Sequence, residues 1–254
     1  MFDKSQAAYV KNRDSFGGLY QSVMAAIKAM DRTIEELIDI YRNQINDYVR
    51  RGMKVFASSS FQSHSIPMLK ILSEIDREIP VYFLNTGFHF AESIEYKKQI
   101  TNWLKLNVID LGSPITKVQQ ITTSGELMFT SDPDNCCYMN KTLPMEPVLA
   151  GHDVWITGVR KDQNANRQNL GYEAKGKYGI TRFHPMLEWT NDMISEYMER
   201  EQIPPHPLEA KGYYSIGCEP CTQKPVGMMA GQRGGRWEGM KKTECGLHTE
   251  LIEQ

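Results

Sequence analysis

Five cysteines are the residues of this 254-residue chain best suited to chemistry. Two are adjacent, Cys136-Cys137, and two form Cys218-Glu219-Pro220-Cys221. The fifth, Cys245, stands in Lys241-Lys242-Thr243-Glu244-Cys245-Gly246-Leu247-His248. The first four together supply four thiolates. Tetrahedral zinc takes four, and so does a [4Fe–4S] cluster. Adjacent cysteines chelate a single zinc ion awkwardly. A cubane spreads its iron corners, so neighbouring side chains can each reach one. Cys245 is left over for other work. A thiol with an ordinary pKa of ~8.5 is only a few per cent thiolate at neutral pH. Lys241, Lys242 and His248 would raise that fraction. The competing reading is a spare surface cysteine.

Two stretches suit an anionic ligand. Ser58 to Ser63 is a small polar loop between a strand and a helix. Small side chains let backbone N–H groups approach an anion, and the helix N-terminus adds its dipole. An ordinary Ser-rich helix cap reads the same way. Gly158 to Arg167 leaves another strand end and carries Arg160, Lys161 and Arg167. Guanidinium groups grip phosphate or sulfate bidentately. Five of the histidines lack the spacing of metal ligands. Of these, His89, in Thr86-Gly87-Phe88-His89, is set apart by its place at a strand end.

The elements that must position these residues follow from periodicity. Ile34, Leu37, Ile38, Tyr41, Ile45 and Tyr48 mark a helix, with Asp31 and Thr33 as candidate caps. Short apolar runs at Met53–Ala57, Pro80–Leu84, Leu106–Asp110 and Val154–Gly158 read as buried strands. Helices over Ile66–Ile75, Ala91–Leu104 and Thr190–Glu201 alternate with them, and Pro67 sits in a first turn where its missing N–H is harmless. The alternation predicts an α/β fold: a parallel, twisted, Rossmann-like sheet with flanking helices. Ligands bind such sheets at the carboxyl ends of the strands. The loops starting at Ser58, Asn85 and Gly158 should therefore converge on one pocket.

The expected organisation is a helical segment over 1–50, a nucleotide-binding α/β domain over 51–221 and a mobile C-terminal tail over 222–254. A formal net charge of −2 implies no general polyanion binding, so nucleic acid is not an expected partner. No apolar run is long enough for a membrane span, and no secretory leader is visible. An odd cysteine count in a chain read as cytoplasmic disfavours a disulfide scaffold.

Cys136-Cys137, Lys141 four residues on, Cys218-Glu219-Pro220-Cys221 and Glu244-Cys245-Gly246-Leu247-His248 resemble the assimilatory sulfonucleotide reductases. The likeness is to their iron–sulfur class, which reduces adenosine 5′-phosphosulfate. Gly158-x-Arg160-x-x-Gln163 and Ser215-Ile216-Gly217-Cys218 add to it, and it runs from about Val55 to the C-terminus. The resemblance implies an adenine nucleotide α-hydrolase-like fold and a [4Fe–4S] cluster on Cys136, Cys137, Cys218 and Cys221. It implies that Cys245 attacks the substrate sulfur, expels AMP and carries an S-sulfocysteine, from which thioredoxin or a similar dithiol releases sulfite.

Carried over residue by residue, the substrate contacts would be Ser58, Ser60, Thr86, Gly87, Lys141, Arg160, Arg167, Arg233, Arg236 and His248. A homo-oligomer is the expected assembly. Asn85 departs from the Asp common before Thr-Gly, and Ser58-Ser59-Ser60-Phe61-Gln62 lacks the glycines and Asp of an ATP-pyrophosphatase loop. That speaks against ATP hydrolysis. The rival readings are a reductase of the 3′-phosphorylated substrate, or of both, and a nucleotide-binding iron–sulfur redox sensor. A sulfur-inserting RNA-modification enzyme would want an intact ATP loop and a basic face.

Overall fold

The computed structural model describes residues 32–163, 167–225, 235–237, 247 and 251. The first helix, α1 (Ile34–Arg50), begins at Thr33. Thr33 Oγ1 accepts from the Glu36 N–H at 3.3 Å, and the Glu36 carboxylate accepts from the Thr33 N–H at 2.7 Å. This reciprocal capping satisfies two of the donors that a helix start leaves open. Ile34, Leu37, Tyr41, Ile45 and Tyr48 form its buried face, as their spacing predicts.

Six strands follow: β1 (Val55–Ser58), β2 (Val81–Asn85), β3 (Val108–Gly112), β4 (Val154–Thr157), β5 (Glu173–Lys175) and β6 (Thr181–Phe183). They form one sheet in the order β3-β2-β1-β4-β6-β5, with every neighbouring pair parallel except β5 and β6. Periodicity located four of these strands. It missed β5 and β6, which are three residues each and carry no apolar run. Helices α2 (Ile66–Ile75) and α3 (Ala91–Leu104) make the crossovers between β1, β2 and β3.

The chain moves outward from β1 to β2 and β3, then returns to the other side of β1 with β4. The strand order therefore reverses between β1 and β4, where an open sheet of this kind places its ligand crevice. The register there pairs Phe56 with Trp155 and Ser58 with Thr157. Alternation along the strands divides two apolar layers. Val55, Ala57, Val154 and Ile156 join the layer that includes α1 and α2. Phe56 and Trp155 face the opposite layer with Met145, Leu149, Ile180, Leu247 and Leu251. Two tail residues thus complete a sheet face.

The stretch before β4 had no element assigned from sequence. It is a nearly continuous helical run: α4 (Pro133–Cys137), a π-helical turn over Tyr138–Thr142 and α5 (Leu143–Ala150). Such π turns redirect side chains and recur at functional sites. Here the turn carries Lys141 directly after the adjacent cysteines. The helix α6 (Asn191–Arg200) is capped by Thr190 and buries Ile194 and Tyr197. Among the described residues no helix is long and apolar enough to cross a membrane.

Candidate active site

A cleft of about 250 Å³ opens at the switch between β1 and β4. Its walls come from the loops after β1, β2 and β4, from Tyr214–Cys218, and from Arg236 and Leu247. The convergence of the three strand-end loops is thus observed. Ser58, Ser60, Lys141, Arg160, Arg167 and Arg236 all line the cleft, and so does His89. Thr86 is instead in the wall of a second cavity beside it. Cys245, Arg233 and His248 lie outside the described residues.

The loop after β1 is held rigidly. Ser58 Oγ accepts from Trp155 Nε1 at 2.8 Å, and Ser59 Oγ is 3.1 Å from Ser65 Oγ. Phe61 adopts φ 53°, unusual for a bulky residue. Its side chain is buried edge-on against Phe83, and its N–H is held by Ser59 Oγ at 3.0 Å. Packing thus imposes a backbone conformation that the residue itself disfavours, a pattern common at binding loops.

The two arginines of the loop after β4 differ in their surroundings. Arg160 is buried, with Nε 2.9 Å from Asp162 Oδ1 and Nη2 bonded to both Asp162 Oδ2 and Asn191 Oδ1. These bonds tie its guanidinium to its own loop at Asp162 and to the start of α6 at Asn191. Arg167 bonds Gln163 Oε1 and lies near enough to Arg182 and His184 for its charge to lower the pKa of both. Burial is the larger cause in each case, taking His184 down to about 3 and Arg182 to about 10. His184 is thus neutral at ordinary pH, with Nδ1 2.6 Å from Thr157 Oγ1. Arg182 stacks over Trp155 on the tail-facing side of the sheet, and its Nε and Nη1 have no hydrogen-bond partner. Neither Arg182 nor His184 was singled out from sequence. Their strand is too short to be recognised, and nothing local marks it.

The four cysteines Cys136, Cys137, Cys218 and Cys221 line the second cavity. The two cysteine pairs, 81 or more positions apart in sequence, thus meet at one cavity. Cys218 pairs with His89 in an antiparallel bridge, and the Glu219 N–H donates to the Phe88 carbonyl at 2.7 Å. This pins the Cys-x-x-Cys turn to the loop after β2. His89 supports that loop through its ring nitrogen, 2.9 Å from the Leu84 carbonyl. Burial pushes the Cys136 thiol up. Negative charge at Cys218 and Cys221 adds to this, against the pull of Lys141 and Lys117. Lys141 and Cys218 line both the cleft and the cysteine cavity, so the two sites share a wall. Lys117, Gln120 and Asn140 beside the cysteines were also missed, since the segment after β3 shows no periodicity.

The tail returns to this wall. Thr222 bridges Arg236, the Gln223 N–H donates to the Gly235 carbonyl, and the Trp237 N–H to the Cys221 carbonyl at 3.2 Å. Arg236 is thereby delivered into the cleft next to Gly217. Chemically, the arrangement pairs a cationic cleft of nucleotide size with a cluster of soft sulfur donors.

The mostly parallel sheet with its cleft at this switch point has an adenine nucleotide α-hydrolase-like fold. The solved neighbours agree on the fold. A phosphoadenylyl-sulfate reductase from Candida auris superposes with TM-score 0.58 at 17% identity, over 74% of this chain and 97% of that one. An FMN adenylyltransferase from Candida glabrata superposes with TM-score 0.50 at 13% identity, over 79% and 70%. Residues 54–224 match the phosphoadenosine phosphosulfate reductase domain, and the chain belongs to that family. It is 33% identical to an adenosine 5′-phosphosulfate reductase of Halalkalibacterium halodurans over 90% of this chain and 99% of the relative. It is also 35% identical to a phosphoadenosine 5′-phosphosulfate reductase of Gloeobacter violaceus, over 78% and 83%.

Proposed function

We propose that this protein is an oxidoreductase that reduces adenosine 5′-phosphosulfate to sulfite and AMP in sulfate assimilation. The observation that carries the reading is the wall shared by the nucleotide cleft and the four-cysteine cavity, with Lys141 in both. Relatives named for this activity align over nearly the whole chain. The domain division carried by the proposal is an N-terminal segment over 1–50, a nucleotide-binding domain over 51–221 and a C-terminal tail over 222–254; residues 1–31 and most of the tail lie outside the described residues.

In this mechanism Arg167, Arg233 and Arg236 hold the phosphate and sulfonyl oxygens, with Arg160 ordering the loop, and Ser58 and Ser60 meet the nucleotide. Thr86 shapes the adjoining wall with Gly87 next to it in the chain, and His248 assists from the tail. The Cys245 thiolate attacks the sulfonyl sulfur. The bond from sulfur to the phosphate oxygen breaks, AMP leaves with that electron pair, and Cys245 carries the SO₃ group. A dithiol protein of the thioredoxin type then attacks the Cys245 sulfur. Sulfite departs, and the dithiol supplies both electrons as it closes to a disulfide. A reducing cytoplasm suits this chemistry, and a homo-oligomer is the assembly we expect.

Cys136, Cys137, Cys218 and Cys221 would hold a [4Fe–4S] cluster. One feature supports the fit. All four cysteines border one cavity. The adjacent Cys136 and Cys137 suit a polynuclear centre with separated corners better than a single ion. When bound, the cluster would supply fixed electrostatics beside the sulfonyl group.

The test is a single turnover. Reduced protein mixed with substrate, without dithiol, should release one AMP per site and leave an SO₃ adduct on Cys245. Cys245→Ser should bind nucleotide and form neither adduct nor sulfite. An adduct on another cysteine, or turnover by the variant, would overturn the assignment. The Gloeobacter relative keeps the 3′-phosphorylated substrate in view. Competition at equal concentration should favour the form without the 3′-phosphate.

A further inference from the structure

Lys117 stands outside everything assigned above. It sits just before a short turn, Val118–Gln120, that follows β3, far in sequence from both cysteine pairs. Its ammonium donates to the Thr86 carbonyl and, at 2.7 Å, to Asn140 Oδ1, and it lies 3.9 Å from the centre of the Phe88 ring.

Each hydrogen-bonded partner touches a cysteine from a different pair. Thr86 Oγ1 is 3.3 Å from Cys218 Sγ. Asn140 Nδ2 is 3.6 Å from Cys136 Sγ and donates to the Cys136 carbonyl at 2.9 Å. Gln120 fixes the Asn140 amide, accepting from Nδ2 at 2.6 Å and donating to Oδ1 at 3.1 Å. With Nδ2 committed to the cysteine side, Oδ1 must face a donor, and Lys117 is one. Gly87 leaves room for the lysine stem, since a Cβ there would stand 3.0 Å from Lys117 Cε.

The charge balance points the same way. No carboxylate lines the cysteine cavity, and the charges that act on Lys117 are those of Cys136 and Cys218. A half-buried cation in such a place calls for an anion. Four thiolates holding an iron–sulfur core supply one, and net charge and hydrogen bonding are what set the potential of such a core.

We propose that Lys117 is a positioning residue for the four-thiolate centre, strapping the two cysteine pairs together through Thr86 and Asn140 and offsetting the centre's negative charge. The inference rests on the cluster reading above. A cation at this place favours the more negative, reduced state, so its removal should shift the midpoint potential downward. It should also loosen the centre, since changes to residues supporting metal ligands cost roughly 10–100-fold in metal affinity.

The experiment compares wild type, Lys117→Met and Lys117→Arg, all purified anaerobically. It measures iron and sulfide content, midpoint potential, iron loss to a chelator, and AMP affinity. Lys117→Met should lower the potential and speed iron loss by roughly 10–100-fold, with AMP affinity unchanged, and Lys117→Arg should recover most of both. Wild-type potential and iron retention in Lys117→Met would overturn this role while leaving the centre intact. Wild type that holds no iron would instead sink the centre itself. If Lys117→Met does not fold, Lys117→Gln, which keeps a polar head without the charge, carries the same two readouts.

Discussion

Gly217 lies against the guanidinium of Arg236, so closely that a Cβ at 217 would overlap Cζ and both Nη atoms. The backbone at this glycine is not left-handed, so its requirement is room alone. The obstructed group is the end of a flexible side chain, which can swing away at little cost. Gly217→Ala should therefore change stability by no more than about 0.5 kcal/mol. It should still weaken nucleotide binding by about tenfold, because a charge-assisted phosphate contact is worth roughly 1.5–3 kcal/mol. Titration of AMP against both proteins checks this. Equal affinities would remove Arg236 from the phosphate contacts.

The cysteines give a sharper outcome. Anaerobically prepared protein should be brown and hold about four iron and four sulfide per chain. Replacing Cys136, Cys137, Cys218 or Cys221 by Ser should abolish iron and sulfite production together. Zinc in protein made under iron-replete anaerobic conditions would decide for the other four-thiolate ion.

Much of this was legible before any coordinates. The i, i+3, i+4 spacing from Ile34 to Tyr48 and the apolar runs around β1, β2 and β4 located the framework, because burial imposes those patterns directly. The cysteines were legible because four sulfur donors are rare and their pairing is visible. The helical run from Pro133 to Ala150 was not legible. Pro144 and Pro147 break its propensity, and its apolar residues point to more than one side. Lys117 and Arg182 were invisible for another reason. Each matters only through what the fold places beside it, and a single Lys or Arg in a polar stretch carries no pattern. The bond from the Arg160 guanidinium to Asn191 likewise depends on a long-range contact that sequence spacing does not encode.

Acid should weaken the fold through its buried histidines. His206 Nδ1 accepts from the Leu208 N–H at 3.2 Å, and its Nε2 lies 3.1 Å from Ser93 Oγ. Protonating Nδ1 would forfeit the first bond. Burial takes the pKa down to about 4, against a small upward pull from Glu92. A histidine whose folded pKa lies below its unfolded value of ~6.5 stabilises the fold above that value, and the stability fades as pH falls toward 4. The loss is about 3 kcal/mol for His206, and His184 adds a further loss over the same range. Urea midpoints between pH 7 and 4 should fall less steeply for His206→Gln than for wild type. Parallel slopes would show that the native pKa of His206 does not differ from its unfolded value.

The last prediction concerns how the tail is held. Leu251 is fully buried with Phe56, Trp155 and Ile180, and its carbonyl accepts from the Lys177 N–H at 3.1 Å. Leu247, two residues after Cys245, is buried in the same apolar layer and borders the cleft. Arg236 and Trp237 fix the chain on the other side of Cys245 through the bridge to Thr222 and the Cys221 carbonyl. Anchors thus flank the proposed nucleophile on both sides. Leu→Ala at a buried site costs roughly 2–5 kcal/mol, and at Leu251 much of that should fall on tail docking rather than on the sheet. Arg236 is anchored separately, through the bridge to Thr222, so AMP affinity and iron content should hold in Leu251→Ala. Delivery of the thiolate should suffer, because a misplacement of about 1 Å can cost ~100-fold in rate. Rapid-mixing measurement of the AMP burst should show a slowing of tenfold or more at unchanged amplitude. A burst at the wild-type rate would mean that contacts other than the Leu251 anchor position the nucleophile.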